Sequence, residues 1–344
     1  YVHTALTGWR PPDRSYLYGV LVRLVAADTQ SLAPLVLVQS TLSAATALLA
    51  AYWAQLVFTP SRKVLCAVAL GCALDPSQLL YERYVMTETF SLLALAAMLV
   101  ALTMIIVSGR WLLMLPAATA GLLVVALRTS LLPLVAICLV AGPLLALLAR
   151  TLDWRRTLLS LSVVALFVPL IWTLAARIET GPFLLAAWSP LLKPQDFPDS
   201  ALGARVLEGI DVDNPELFTR EVNLWHPSGF MQRLSEEVAE SRTRHLLARE
   251  TAMRVLLRDP AGVADLGWRT YARLWDTETR LQLMRWDVGQ NPLGAKFRET
   301  LASAFRLVAD DVPQPTWSSR YYLTAGLWTS LAALLAPVLI TVSM

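Results

Sequence analysis

Charge is scarce in this chain. Asp, Glu, Lys and Arg make up 16% of its 344 residues, against about 25% in an average soluble domain. With 56% hydrophobic residues and a mean hydropathy of +0.52, that scarcity excludes an ordinary soluble globular protein and points to a multispanning membrane protein. A net charge of +3 is too small to argue for nucleic acid, so the placement of charge matters more than its sum. Cysteine is nearly absent. Cys66, Cys72 and Cys138 each sit in an apolar segment and read as small buried hydrophobes, not as disulfides or metal ligands. Histidine is equally rare: His3, His226 and His245 lie far apart, and no HExxH or CxxC pairing occurs. The sequence also lacks Walker A, GxSxG and GxGxxG signatures, which argues against a soluble nucleotide-using enzyme.

What charge there is gathers late. Of the 55 acidic and basic residues (29 plus 26), 38 fall between Arg177 and Arg320. The chain is therefore expected to be all-α: a polytopic membrane helix bundle with a mainly helical external insert. The expected organisation is a first external loop and juxtamembrane helix at 1–31, a bundle of about six spans at 32–175, an external domain at 176–320 and a further span at 321–344. Apolar runs at about 32–58, 63–80, 88–108, 111–127, 131–149 and 157–175 approach the roughly 17–25 residues that a crossing helix needs. Alternate connections are basic: Arg62 and Lys63, then Arg110, then Arg150, Arg155 and Arg156. Basic loops stay cytoplasmic, so residues 1–31, 75–88, 128–130 and the insert share the opposite face. Within the insert, residues 232–258 carry apolar positions at helical spacing before Asp259-Pro260 breaks the run. Further helices are expected at 261–276 and 294–309, and loops lying on the membrane surface at 181–231. His245 falls on that amphipathic run and reads as a surface residue.

The external segments carry the candidate chemistry. After Pro12, Asp13 or Ser15 can accept hydrogen bonds from the first turn of a helix. Arg10, Arg14 and Arg23 lie at the same level; arginine forks suit phosphate, and headgroup contact with a snorkelling side chain is the alternative. In YERYVMTETFSLL, Glu88 opens the next apolar span, where the helix dipole favours a carboxylate. A carboxylate at a membrane lip needs a partner, and Arg83 and Arg128 are the nearest by topology. Arginines with a carboxylate on one rim suit an anionic lipid-phosphate ligand. His3, Tyr81, Tyr84 and His226 are the candidate substrate contacts, with Arg10, Arg14, Arg83 and Arg128 for phosphate and Glu88 and Asp13 for acid–base work.

Three stretches resemble the GT-C superfamily of polyprenyl-phosphate-sugar-dependent glycosyltransferases, in particular protein O-mannosyltransferases and aminoarabinose lipid A transferases. RPPDRSYLYG (10–19) is similar to the family's basic-Pro-Pro-aromatic step into a juxtamembrane helix. DPSQLLYERYVMTETFSLL (75–93) resembles its pattern of a proline followed by an acidic residue opening a span, with Glu88 in the acidic place. AGLLVVALRTSLLPL (120–134) is similar to its glycine-bearing span ending in arginine. LARETAMRVLLRDPAGVADLGWRTYARLW (247–275) resembles external helices late in such chains.

The resemblance implies displacement at sugar C1 with inversion. An acidic residue would orient or deprotonate the acceptor hydroxyl, and arginines, with or without a divalent cation, would stabilise the leaving phosphate. It also implies an N-terminally truncated chain. YVHTA (1–5) looks like the downstream half of a motif whose acidic residue would precede Tyr1. Asp13 stands where the family often has a small residue. The expected partners are a polyprenyl-phosphate sugar, membrane lipids and an acceptor lipid, glycan or protein, with no nucleic acid. The Ala/Leu/Arg-rich composition points to a bacterial inner membrane with residues 176–320 in the periplasm. A transporter or flippase, or a non-catalytic assembly subunit, stays open from the residues alone; clean spans without repeats speak against transport.

Overall fold

The computed structural model describes residues 1–9, 15–176, 181–212, 214, 219–220, 223–224, 228–273, 276–287, 295–306, 317 and 319–326. Helices dominate, and no strand occurs among the described residues. The chain divides into two compact units, residues 1–178 with 281–344, and residues 179–280.

The first unit opens with α1 (Val2–Thr7) and α2 (Tyr16–Val22), which runs on through a π-helical turn at Arg23–Ala27. α1 lies directly on α2 at Gly19, where any Cβ would run into the Thr4 side chain. α3 (Ala33–Phe58) follows, then the short α4 (Arg62–Ala73) and α5 (Pro76–Tyr81). α6 (Glu88–Ser108), α7 (Met114–Leu127), α8 (Leu132–Leu148) and α9 (Trp154–Ala176) complete the bundle. Four helices, at 33–58, 88–108, 129–148 and 154–171, are long and apolar enough to cross a membrane. That is the pattern of a multi-pass membrane protein.

α3 and α6 run in the same direction. Gln39 near the start of α3 reaches Tyr84 just ahead of α6, and Trp53 near the end of α3 donates to Thr103 near the end of α6. The return between them is not the single span expected at 63–80. α4 has 12 residues, about 18 Å at 1.5 Å per residue, which is short of the roughly 30 Å hydrocarbon core. The break follows from local chemistry. Asp75 accepts a hydrogen bond from the Gln78 N–H, and Pro76 takes the first position of α5, where a missing N–H costs nothing.

α6, α7, α8 and α9 pack around one core that includes Met98, Ile105, Met114, Val124 and Leu139. Close approach depends on glycine. A Cβ at Gly121 would stand 2.9 Å from Val135 Cγ1 and 3.2 Å from Met98 Sδ, and one at Gly142 2.8 Å from Leu102 Cδ2. In lipid, where apolar burial gives little drive, such contacts hold helices together. Large apolar side chains on the outside, such as Leu37, Leu48, Leu148 and Leu166, are exposed, as suits helices apolar all round.

The second unit begins with α10 (Gly181–Ala187) and α11 (Ser200–Leu207), where loops were expected. The helix expected across 232–258 is two: α12 (Phe230–Glu237) and α13 (Ser241–Arg258), separated at 238–240. α14 (Pro260–Arg273) follows. Leu185, Phe197, Phe230, Leu234 and Val255 share its core. Gly181 sits against α13, because a Cβ there would lie 2.5 Å from the His245 carbonyl oxygen. His245 Nδ1 accepts from the Gly181 N–H at 3.1 Å. His245 is thus half-buried at the α10–α13 contact, and the surface reading of it is corrected. The buried Asp196 pairs with Arg258 at 3.0 Å. Arg220, also buried, donates to the Ala187 carbonyl and to Thr270. Burial, and then the neighbouring Arg273 charge, hold its guanidinium below the ordinary arginine value.

Candidate functional site

The strongest polar constellation lies at the end of the first unit where α3 and α6 begin and α7 ends. Glu88 is the first residue of α6, with Thr87 before it at the cap position. Arg128 ends α7 in an extended conformation. A carboxylate at a helix start and a guanidinium at a helix end each complement the local dipole. Antiparallel packing of α6 and α7 brings the two together. Arg128 Nη1 donates to Glu88 Oε1 at 2.8 Å, with side-chain exposures of 45% and 15%. Arg128 Nε also reaches Ser130 Oγ at 3.4 Å. Of the five N–H donors of the guanidinium, these contacts use two. Glu88 Oε2 is buried and has no hydrogen-bond partner among the described residues.

Glu82 sits six residues upstream, buried, with Oε2 accepting from Ser40 Oγ of α3 at 2.9 Å. Beside it Gln39 is fully buried. Its Oε1 accepts from the Tyr18 hydroxyl at 2.6 Å, and its Nε2 donates to the carbonyls of Glu82 (2.5 Å) and Tyr84 (3.0 Å). Tyr18 packs edge-on to Tyr1 and to Phe90, at centroid distances of 4.8 and 5.6 Å. Burial, with Tyr1 and then the Glu88 charge adding to it, pushes the Tyr18 hydroxyl well above its ordinary pKa, so it remains a donor. Val2, Leu35, Leu127 and Phe305 close the apolar side of the same end.

The expected site residues divide into three groups. Glu88 and Arg128 are brought together as a pair. Arg83, the other expected partner of Glu88, is exposed and has no ion-pair partner among the described residues. His3 is exposed on α1, its ring tilted against Trp9 at 5.5 Å. Tyr81 and Tyr84 meet edge to face at 6.3 Å, and Tyr84 packs on Leu80, Met284 and Tyr322. Arg10, Asp13, Arg14 and His226 lie outside the described residues. Ser15 stands at the cap position of α2, but its hydroxyl makes no capping bond; it is buried and has no partner among the described residues.

Gln39, Tyr18 and Ser40 were missed in the sequence. The available signal was a lone amide in an apolar run, APLVLVQSTLSAATALL, because a polar group at that depth needs a specific partner. Among the described residues no three His, Cys, Asp or Glu side chains gather as a metal centre. The chain matches no family model, no curated protein and no solved structure.

Proposed function

We propose that the chain is a membrane glycosyltransferase that moves a sugar from a polyprenyl-phosphate donor to an acceptor hydroxyl at the rim holding Glu88 and Arg128. One observation carries the reading. Glu88 is held through one oxygen by Arg128, and its second oxygen is buried and unpaired among the described residues. A carboxylate so placed orients an acceptor O–H and takes its proton as the oxygen attacks sugar C1. The C1–O bond to phosphate breaks with its electron pair, and the phosphate leaves as an anion. The remaining donors of Arg128 and the exposed Arg83 meet that charge at the rim. A site at the end of apolar helices suits a donor whose chain stays in the bilayer. The resemblance of 10–19, 75–93 and 120–134 to GT-C enzymes supports the same class.

The Ala/Leu/Arg-rich composition supports a bacterial inner membrane, and the alternation of basic connections supports an orientation with the rim and residues 176–320 on the periplasmic side. The test is a panel of radiolabelled polyprenyl-phosphate sugars incubated with membranes containing or lacking the protein. Protein-dependent movement of label into lipid, glycan or protein supports the proposal. Absence of transfer across the panel by folded protein contradicts it and favours an assembly subunit.

A further inference from the structure

Gln39 is the seventh residue of α3 and is wholly buried. Its three hydrogen bonds have a fixed sense. The carbonyls of Glu82 and Tyr84 can only accept, so Nε2 faces them and Oε1 faces Tyr18, whose hydroxyl must then donate. The Tyr18 hydroxyl, from α2, thereby fixes which way the Gln39 amide faces. The chain from 82 to 84 is therefore gripped at two alternate residues by Gln39, whose orientation Tyr18 sets from a different helix. That strip ends at Thr87, the cap of α6, and Glu88 follows it. A buried amide that served only to satisfy itself could bond within its own helix or to any neighbour. Here both donors go to the six residues that deliver Glu88, and the next residue, Ser40, holds the Glu82 carboxylate in the same strip.

We infer that Gln39 and Tyr18 are positioning residues: they hold the strip 82–87 in the one register that sets the Glu88 carboxylate against Arg128 and toward the acceptor. This rests on the glycosyl-transfer reading for its consequence, though not for its geometry. Neither residue touches the reacting atoms. Their effect is exerted through the backbone, where a shift of about 1 Å in a catalytic group can cost about 100-fold in rate.

The test uses the full chain in detergent and three variants. Gln39→Leu removes all three bonds. Gln39→Glu keeps the volume and the acceptor for Tyr18 but, once ionised, has no donor for either carbonyl. Tyr18→Phe removes one hydroxyl. Hydrogen exchange is followed in peptides covering 82–90, with α8 peptides as an internal standard for folding. Exchange in 82–90 is expected to accelerate about ten-fold or more in Gln39→Glu and Tyr18→Phe while α8 is unchanged. In the transfer assay both variants are expected to lose kcat by about ten-fold or more, with KM for the donor held.

Unchanged protection of 82–90 in Gln39→Glu and Tyr18→Phe overturns the proposal, whatever the activity. Lost protection with full kcat also overturns it, by reducing the pair to a packing role. If the wild-type protein transfers no sugar, the function reading fails, and the exchange arm still decides whether the grip exists. Should Gln39→Leu fail to fold, the other two variants decide.

Discussion

Glu88 divides its two oxygens between unlike tasks: one is neutralised by Arg128 and the other is buried without a described partner. An unpaired buried acceptor costs about 1–3 kcal/mol, which a ligand that donates to it would recover. The ion pair is neither surface nor core, with exposures of 45% and 15%. Its worth should fall between the 0–1 kcal/mol of exposed pairs and the roughly 3–5 kcal/mol lost when a buried pair is broken. Replacing Arg128 by Gln strands the carboxylate at the lip and is expected to destabilise by about 1–3 kcal/mol. Replacing Glu88 by Gln as well should return part of that loss. Thermal unfolding of the two single variants and the double variant gives the coupling; strictly additive losses would show that the pair is not an energetic unit.

At the scale of the element, the interruption of the second apolar run depends on one cap. Asp75→Ala removes the bond to the Gln78 N–H and should cost about 0.5–2 kcal/mol, read by thermal unfolding, with faster amide exchange in α5. A second cap gives a pH dependence. Hydrogen bonds from the backbone and hydroxyl of Thr279 hold the Asp276 carboxyl below its ordinary range, at the start of the helix Thr277–Asp287. A group whose folded pKa is lowered stabilises above its unfolded pKa and loses that contribution as pH falls through the folded value. The first turn of that helix is therefore expected to fray on acidification below the ordinary aspartate pKa. Amide exchange at residues 277–280 should accelerate there, and Asp276→Asn should remove most of the pH dependence.

Much of this scale was legible in the sequence. Long apolar runs became α3, α6, α8 and α9, and Glu88 opens α6 as its charge at a helix start implied. The break at Asp75-Pro76 was masked because apolar residues continue on both sides of it. The separation of α12 from α13 was hidden likewise, since helical periodicity carries through 238–240 without a proline or glycine. The partners of Gln39 were illegible for another reason: they lie 21, 43 and 45 residues away, and no local pattern encodes that pairing.

For the whole molecule, the two units have separate cores, and the second comprises residues 179–280. Orientation rests on the alternation of basic connections and can be tested directly. In a chain freed of Cys66, Cys72 and Cys138, a cysteine at Asp28 should react with an impermeant maleimide from the external side of intact cells. One at Arg110 should react only after permeabilisation. The reverse pattern would invert the topology and place the rim in the cytoplasm.

The measurement closest to the central claim is transfer of labelled sugar by Glu88→Gln, normalised to folded protein. This change keeps the size of the side chain and removes its charge and its ability to take a proton. A fall in kcat of about 100-fold or more, with the helical signature of the fold intact, is the predicted result. Transfer at the wild-type rate by folded Glu88→Gln protein would contradict the assignment of the rim carboxylate to the chemistry.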